Sequence, residues 1–385
     1  MSLAELRARV ESAFSGAYGG TPRACVQAPG RVNLIGEHTD YNDGFVLPCA
    51  IDRATVIAVR ARDDRQVRVL ALDCGPDRDT FALDAPITPA PDRPWTGYVR
   101  GMLHEALAWQ PDLPGLDMVI AGDVPQGAGL SSSASLTVAV GTACQAVGAL
   151  GGLDPTGLAR MAQRAENHFV GCQCGIMDQL VSSRGEAGCA LWIDCRSLDT
   201  RAVPMPPELG LLIAHSRVRR GLVDSLYNER RAACEAAARH FGVAALRDVS
   251  IGQLAGSGLD PLILRRARHV LTENDRTLRA AEALARGELR SLAALMAESH
   301  VSMREDFEIT VPAVDRLVAI IDEALAGEGG CRMTGGGFGG CVVAVLPAAA
   351  LQEVERALQR HYRSPEGLPA TVFRCRASAG AAPLP

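Results

Sequence analysis

The sequence predicts an α+β protein of two domains. Its 385 residues exceed the usual length of one domain and suffice for two hydrophobic cores. Short apolar runs rich in β-branched residues indicate strands, mainly in the first half, whereas the second half shows mostly helical periodicity. The Val-Pro-Met-Pro-Pro segment at 203–207 is the best candidate for a crossing between domains. We therefore expect domains at residues 1–200 and 201–385.

Periodicity and turn residues place the individual elements along the chain. Strands are predicted at residues 25–28, 45–47, 55–60, 66–72, 116–121, 190–194, 341–346 and 370–375. Helices are predicted at residues 95–110, 154–170, 224–239, 261–270, 276–285, 289–299, 314–325 and 351–363. Pro29-Gly30 is expected to form a turn, and the tail at 377–385 is expected to be frayed.

Composition argues against several classes of partner. The net charge of −5, with no long basic run, disfavours nucleic-acid binding. Residues 1–10 lack the apolar core of a signal peptide, and the uncharged segment 124–153 is too rich in Gly, Ser and Thr for a membrane span. The twelve cysteines form no C-x-x-C pair, the closest spacing being Cys172-x-Cys174, which favours reduced thiols over a zinc site. We expect a cytoplasmic monomer without nucleic-acid, membrane or obligate protein partners.

A glycine- and serine-rich stretch after the strand at 116–121 predicts a phosphate-binding loop. Gly127 and Gly129 let a ligand approach the main chain, and Ser131, Ser132 and Ser133 lie at the predicted start of the next helix. Free N–H groups and the positive end of the helix dipole favour an anion there. The predicted ATP-binding set is Gly127, Ala128, Gly129, Leu130, Ser131, Ser132 and Ser133. The alternative is a flexible turn followed by a serine N-cap.

The complete absence of lysine narrows the kinds of phosphate chemistry available. All 39 basic residues are arginine, so neither a Walker A loop nor the invariant lysine of protein kinases can exist. Schiff-base chemistry through lysine is excluded as well. If the chain handles nucleotide phosphates, backbone N–H groups, serine hydroxyls, Mg²⁺ and arginine must do so.

A second polar stretch, between the strands at 25–28 and 45–47, predicts binding of a polyhydroxylated ligand. Glu37, His38 and Asp40 are crowded on a tight loop, and one carboxylate can accept hydrogen bonds from two vicinal hydroxyls. The alternative is an Asx-rich turn that bonds its own backbone, as residues 42–44 are expected to do. Further along, Asp178 is flanked by apolar residues and needs a partner, either as a helix N-cap or as a guanidinium across a cleft.

Three motifs together resemble those of galactokinases. Gly-Arg-Val-Asn-Leu-Ile-Gly-Glu-His-Thr-Asp-Tyr-Asn at 30–42 resembles their signature, with a likeness to enterobacterial-type members. Gly-Ala-Gly-Leu-Ser-Ser-Ser-Ala at 127–134 and Met-Thr-Gly-Gly-Gly-Phe-Gly-Gly at 333–340 resemble the second and third motifs of the GHMP kinase superfamily. The resemblance spans essentially the whole chain. It implies a two-domain GHMP-kinase-like architecture with the active site in the cleft between the domains.

The resemblance also implies roles for individual residues. The implied reaction is Mg-ATP-dependent phosphorylation of the C1 hydroxyl of α-D-galactose. Asp178 would act as the base with Arg31 beside it, Ser133 and Glu166 would hold Mg²⁺, and Trp95 or a near neighbour would border the adenine, although core packing explains the indole equally well. The loop at 335–340 would close over the reacting centre, although a simple hairpin turn is nearly as good an account. The implied sugar-binding residues are Glu37, His38, Thr39, Asp40, Gly175, Asp178 and Tyr227.

Two other functions are compatible with these motifs. One is a kinase for N-acetylgalactosamine, galacturonate or another sugar, because the loop at 37–40 does not define the substituents at C2 and C6. The other is a non-catalytic galactose sensor of the kind found among family paralogues. Such sensors lack the Ser-Ala pair that this chain carries at Ser133-Ala134, which favours the enzyme.

Overall fold

The computed structural model describes residues 1–75, 77–218 and 223–385, and the elements below are those of these residues. The helices are α1 (Leu3–Tyr18), α2 (Pro94–Trp109), α3 (Ser132–Ala146), α4 (Pro155–Arg164), α5 (Met177–Arg184), α6 (Val223–His240), α7 (Ile251–Leu254), α8 (Pro261–Ala285), α9 (Leu289–Glu305), α10 (Pro312–Leu325) and α11 (Leu351–His361). The strands are β1 (Ala24–Asn33), β2 (Phe45–Val46), β3 (Pro48–Arg62), β4 (Gln66–Ala71), β5 (Asp77–Ala82), β6 (Gly115–Gly122), β7 (Cys189–Asp194), β8 (Thr200–Pro204), β9 (Leu209–His215), β10 (Gly330–Thr334), β11 (Cys341–Pro347), β12 (Thr371–Cys375) and β13 (Ala382–Pro383). The α+β fold class is confirmed.

Two larger sheets and one smaller sheet organise these elements. The first has the order β13-β1-β3-β6-β4-β5, with β4 and β6 parallel and its other pairs antiparallel. The second is antiparallel with the order β10-β11-β9-β12, and a small third sheet joins β2, β7 and β8. The segment predicted to cross between domains belongs to β8 as far as Pro204, and the chain enters the second sheet at Leu209. The boundary at 200/201 itself stays a prediction.

The three largest apolar cores of the described residues lie against one face of each large sheet and between the two sheets. The first core packs α2, α3 and α4 against the first sheet. The second lies among the second sheet and α6, α8, α10 and α11. Between them, Leu34 and Ile35 beyond β1 and Leu130 before α3 share a core with Ile213 and Val343 of the second sheet. This shared core holds the loops that carry the predicted site residues. Among the described residues, no helix combines the length and apolarity that crossing a membrane requires.

The predicted turn at Pro29-Gly30 is wrong, because β1 continues through it to Asn33. A β-bulge between Pro29 and Arg31 shifts the register against β3, and such a bulge tolerates a proline that cannot donate to the ladder. A Cβ on Gly30 would lie 2.7 Å from the carbonyl oxygen of Leu130, so a side chain there would push the predicted phosphate loop away. The bulge therefore brings this loop against β1 just before Arg31.

The two helices predicted at 261–270 and 276–285 are one continuous helix, α8. The residues between the two predicted helices include the polar Thr272, Glu273, Asn274 and Asp275. Glu273 and Asn274 are buried, however, and lie on the face that continues the spacing of His269 and Thr277. Their polar side chains bond the backbone of the loop at 36–45 instead of water.

The tail predicted to be frayed is ordered against the first sheet. Residues Ala382–Pro383 pair with Val26 and Gln27 of β1, and the Gln27 side chain donates to the Gly380 carbonyl at 2.8 Å. The short apolar and polar tail gave no sign of this pairing, because a two-residue strand has no periodicity to detect.

Candidate active site

One cavity of about 520 Å³ brings the predicted site residues together. Its walls are the acidic loop (residues 31–44), the phosphate loop (residues 127–133), the segment 170–178, the start of α6 and the beginning of the third glycine-rich loop (residues 335–340). The predicted residues that line it are Arg31, Glu37, His38, Asp40, Gly127, Gly129, Leu130, Ser131, Ser132, Ser133, Gly175, Asp178 and Tyr227. Of the remaining predicted residues, Ala128, Thr39 and Glu166 lie behind this surface.

Asp178 of α5 and Arg31 at the end of β1 form a two-pronged ion pair in this cavity. Asp178 lies in the first turn of α5, and both guanidinium contacts from Nε and Nη2 of Arg31 measure 2.7 Å. Arg31 Nη1 also donates to the Gly129 carbonyl at 2.6 Å, and the Ser131 hydroxyl donates to Asp178 Oδ2 at 2.5 Å. Of the two partners that the sequence left open for Asp178, the guanidinium is therefore the one observed.

The phosphate loop has the backbone expected of an anion cradle. Gly127 and Gly129 take positive φ, and Ser131 is left-handed at φ 61°, an uncommon conformation for a residue with a side chain. Helix α3 begins directly after Ser131, at Ser132, which lines the cavity. The free N–H groups of its first turn are therefore at the end of the helix that borders the cavity. The buried Ala128 anchors the loop, since its carbonyl accepts from the Cys341 thiol at 3.0 Å.

Glu166 lies on a π-helical turn, Ala165–Val170, that follows α4 and forms the last part of the helix predicted over 154–170. Such turns widen a helix by one residue and often occur at functional sites. Glu166 Oε1 accepts from Gln179 Nε2 at 2.7 Å and from Thr137 Oγ1 at 3.3 Å. Burial raises the pKa of this carboxyl to about 7, against the opposing effect of the Gln179 and Ser133 hydrogen bonds.

Glu37 joins the acidic loop to the third glycine-rich loop. Its Oε1 accepts from the Gly335 N–H at 2.6 Å and lies 3.0 Å from Nη2 of Arg332. Its Oε2 accepts from the Asn33 amide at 2.9 Å. Since the side chains of Glu37 and Arg332 are 3% and 0% exposed, this is a buried ion pair that positions both loops.

His38 is a neutral imidazole within an aromatic cluster. Burial, followed by the positive influence of His269, lowers its pKa to about 3. Its Nδ1 lies 2.8 Å from the Tyr41 hydroxyl, and its ring centroid lies 5.1 Å from that of Tyr227 and 4.9 Å from that of Phe307. These contacts bring Tyr227 of α6 against the acidic loop.

Asp40 faces Gly175 across a space that admits no side chain. A Cβ on Gly175 would lie 1.8 Å from Asp40 Oδ2. Burial, followed by the negative charge of Asp178, raises the pKa of Asp40 to about 6. Thr39, by contrast, is fully buried, and its hydroxyl bonds the carbonyls of Gly36 and Phe45 at 2.9 and 2.7 Å. Its predicted contact with a sugar stays a prediction.

Two residues that support the site were missed by sequence reasoning. Arg332 is the counter-ion of Glu37, and the buried Glu273 accepts from the backbone N–H groups of Gly36 and Glu37 at 3.0 and 3.3 Å. A lone arginine within the apolar strand β10 was a detectable sign of a buried ion pair. No local pattern identified Glu273.

We expect the Glu273–Arg276 pair to make stability depend on pH. Burial raises the pKa of Glu273, but Arg276, His269 and Arg332 outweigh it and lower the pKa to about 2. A lowered carboxyl pKa stabilises the protein above the unfolded value of 4.5, and this stability is lost as pH falls through the folded value. Between pH 7 and pH 3, the wild type should lose about 2 kcal/mol more of its free energy of unfolding than Glu273→Gln does.

Denaturant unfolding at several pH values measures this difference. Glu282→Gln, at an exposed position of the same helix, is the matched control and should follow the wild-type pH dependence. Equal losses for the wild type and Glu273→Gln would contradict the prediction.

Known families match this chain over three segments. The galactokinase galactose-binding signature matches residues 12–61, the GHMP kinase N-terminal domain residues 97–186, and the GHMP kinase C-terminal domain residues 280–364. A Lactococcus lactis galactokinase solved in complex with galactose is 30% identical, covers 99% of this chain and 100% of its own, and superposes with a TM-score of 0.92.

More distant solved structures share the fold. The mevalonate kinase of Methanococcus jannaschii is 18% identical, covers 93% of this chain and 99% of its own, and has a TM-score of 0.64. A homoserine kinase from Cytophaga hutchinsonii is 16% identical, covers 94% of this chain and 97% of its own, and has a TM-score of 0.62.

Proposed function

Because this chain belongs to the galactokinase family of the GHMP kinases, a family of sugar kinases that take their phosphoryl group from ATP, we propose that it phosphorylates the C1 hydroxyl of α-D-galactose. The products would be α-D-galactose 1-phosphate and ADP. The observation that carries this proposal is the Arg31–Asp178 ion pair, which lies in one cavity between the acidic loop and the phosphate loop. A sugar held by one loop and a triphosphate held by the other would meet at this pair.

The sugar would bind among the residues of the acidic loop and their neighbours. Glu37, His38 and Asp40 supply carboxylate and imidazole groups, and Tyr227 packs against His38. Gly175 leaves room for Asp40 to face the sugar. Vicinal hydroxyls can donate to such carboxylates, which supports a hexose as the acceptor. Thr39 would support the loop through its carbonyl bonds.

The nucleotide would extend from the phosphate loop into an adjoining cavity of about 300 Å³. The two cavities share Tyr98, Ser132 and Ser133. A triphosphate bound to the phosphate loop would therefore lie next to the smaller cavity. Trp95 lies in its wall, where its indole N–H donates to Asp77 at 3.0 Å. A cavity beside the phosphate loop that includes Trp95, Pro94, Ile120 and Leu136 in its lining supports adenine binding, as expected for Trp95 or a near neighbour.

The residues around Glu166 are suited to hold Mg²⁺. Magnesium prefers carboxylate and hydroxyl oxygens, which Glu166 and Ser133 provide, and the Ser133 side chain lowers the pKa of Glu166 against the effect of burial. The buried Gln179 Oε1 beside them has no hydrogen-bond partner among the described residues. When bound, the ion would neutralise charge on the phosphates of ATP. Ser133 in the cavity wall and the buried Glu166 behind it would hold the ion.

Asp178 would accept the proton of the C1 hydroxyl as that oxygen attacks the γ-phosphorus. Arg31 and Ser131 hold both carboxylate oxygens through hydrogen bonds, which keeps Asp178 oriented. The Arg31 guanidinium would also stabilise the negative charge that develops during transfer. Phosphoryl transfer depends mainly on positioning and charge neutralisation, and this arrangement supplies both.

Adding one methyl group at Gly175 should impair galactose binding specifically. In Gly175→Ala, the new Cβ would occupy the position of Asp40 Oδ2, so Asp40 must move. We expect KM for galactose to rise by about 10-fold or more, as for a displaced sugar-binding group, while KM for ATP changes little. Gly151→Ala, where a Cβ meets nothing within 4 Å, is the control and should behave as wild type. An unchanged KM for galactose would contradict the role of Asp40.

One experiment tests the proposed reaction directly. The protein is incubated with Mg-ATP and a panel of hexoses that includes galactose, N-acetylgalactosamine and galacturonate, and the sugar phosphate formed is identified. We expect α-D-galactose 1-phosphate as the main product. Preferential phosphorylation of another sugar would reassign the substrate. Galactose binding without any product would indicate a sensor.

The remaining assignments are proposals of the same kind. We propose a cytoplasmic monomer that acts without nucleic acid, membrane or obligate protein partners, with domains at residues 1–200 and 201–385. Light scattering on the purified protein tests the monomer. Limited proteolysis followed by mass spectrometry tests whether cleavage concentrates near 200–208.

A further inference from the structure

Two cysteines in the wall of the catalytic cavity have no role in the proposed reaction. Cys172 is exposed and Cys174 is half-buried, and both line the cavity next to Gly175. Their thiols are in hydrogen-bonding contact, and this contact, followed by burial, raises the pKa of Cys174. The sequence had already singled out this pair as the closest cysteine spacing in the chain.

The backbone between these cysteines is folded so that their sulfurs can be joined. The Cys174 N–H donates to the Cys172 carbonyl at 2.9 Å, which closes a three-residue turn. In such a turn the first and third Cα atoms lie closer together than in a strand. Their separation then falls within the roughly 4.4–6.8 Å that the Cα atoms of a disulfide span. Both side chains line the same cavity wall, and the Cys172 side chain is the first cause of the raised pKa of Cys174.

We propose that Cys172 and Cys174 are a redox-modification site, at which a small-molecule disulfide of the glutathione type forms an intramolecular disulfide that lowers turnover. The thiolate of the exposed Cys172 attacks one sulfur of the small disulfide, forms a mixed disulfide and releases one small thiol. Cys174 then loses its proton, attacks the Cys172 sulfur and releases the second small thiol. The two protein thiols lose two electrons in total, and the small disulfide gains them.

The disulfide would disturb supports of the catalytic residues. The Cys174 thiol now lies 3.2 Å from Asn167 Oδ1 and 3.5 Å from Gln179 Nε2, and Gln179 is the donor to Glu166. Closing the disulfide draws the sulfur away from Gln179 and strains the backbone at Gly175, which abuts Asp40. This effect on turnover rests on the proposed roles of Glu166 and Asp40. Formation of the disulfide does not.

Such a small ring is strained, so thiols should reduce it readily. In a reducing cytoplasm, the dithiol form would predominate and the enzyme would be active. Oxidising conditions would shift the population toward the disulfide form, and the change would reverse when reducing conditions return.

Because the chain has no lysine, a tryptic digest resolves this site cleanly. Cleavage after Arg164 and Arg184 yields the peptide 165–184, which contains Cys172 and Cys174 and no other cysteine. The full-length protein is incubated with oxidised glutathione, its remaining thiols are alkylated, and both this peptide and galactose kinase activity are measured. We expect the unalkylated peptide, lighter by two hydrogen atoms than the dithiol, together with a fall in kcat of about 10-fold or more that dithiothreitol reverses.

Two cysteine variants make the experiment specific. Cys172→Ser should keep the activity of the reduced enzyme and lose both the disulfide peptide and the response to oxidised glutathione. Cys74→Ser removes the other exposed cysteine of the described residues and should respond as wild type.

Three results would overturn the proposal: no disulfide peptide, a disulfide peptide with unchanged kcat, or a Cys172→Ser variant that still loses activity. The peptide mass reports on the disulfide even if the reduced protein phosphorylates no sugar. Failure of this inference is therefore distinguishable from failure of the proposed function.

Discussion

Replacing Asp178 by asparagine is expected to lower kcat by at least ~10²-fold, the range associated with loss of a general base. An asparagine has the same shape as Asp178 but cannot accept the proton of the C1 hydroxyl. It also presents only one oxygen to Arg31, which bonds both oxygens of the aspartate. Because the proposed sugar contacts lie mainly on the acidic loop, galactose affinity should survive. Steady-state kinetics and calorimetric titration with galactose measure the two quantities.

Asp275→Asn is the matched control for this substitution. Asp275 is 66% exposed on α8 and makes a surface pair with Arg279, so its replacement should leave kcat unchanged. Near-normal turnover of Asp178→Asn would rule out Asp178 as the base. It would also direct attention to Arg31 and the metal as the main sources of rate enhancement.

Replacing Arg332 by methionine should destabilise the protein by about 3–5 kcal/mol, the cost of leaving a buried charge without its partner. Glu37 would keep its bonds from Gly335 and Asn33 but lose its counter-ion inside the protein. The acidic loop and the third glycine-rich loop meet at Glu37, so galactose affinity should fall together with stability. Denaturant unfolding and galactose titration of the folded fraction measure both effects.

Two further variants distinguish the loss of the buried Glu37–Arg332 ion pair from the loss of any arginine side chain. Arg279→Met removes an exposed partner of Asp275 and should change stability by less than about 1 kcal/mol. The double variant Glu37→Gln/Arg332→Met removes both charges and should recover part of the lost stability, since no unpaired charge remains buried. A loss no larger in Arg332→Met than in Arg279→Met would show that the pair contributes little.

The phosphate loop was predictable from sequence because its signals are local. An apolar strand, two glycines that take positive φ and three serines before an apolar helix face follow one another within about twenty residues, a span that motif and periodicity arguments cover well. The structure bears out each part, from β6 through Gly127 and Gly129 to the start of α3 at Ser132. The resemblance to galactokinases supplied the proposed roles of Arg31, Asp178 and Glu166, which periodicity alone did not.

Sequence reasoning did not predict the local structure around buried polar residues. The segment around Glu273 and Asn274 has the composition of a helix break, yet these side chains satisfy backbone groups of the acidic loop within a continuous helix. Likewise, Glu166 has the spacing of an ordinary helical glutamate, and its π-helical turn is not visible in the pattern. In each case a tertiary partner outweighed the local preference.

The sequence by itself determined the fold class, the motifs that resemble the galactokinase family, the glycine- and serine-rich loop at 127–133 and the exclusion of lysine-dependent chemistry. These follow from residue types and short spacings, which are properties of the chain before it folds. Only the tertiary structure decided that Arg332 neutralises Glu37 from a position 295 residues further along the chain, and that Glu273 holds the same loop through its backbone. A buried charge requires a partner, but which residue serves as that partner depends on the packing of distant strands and helices, and no local pattern records it.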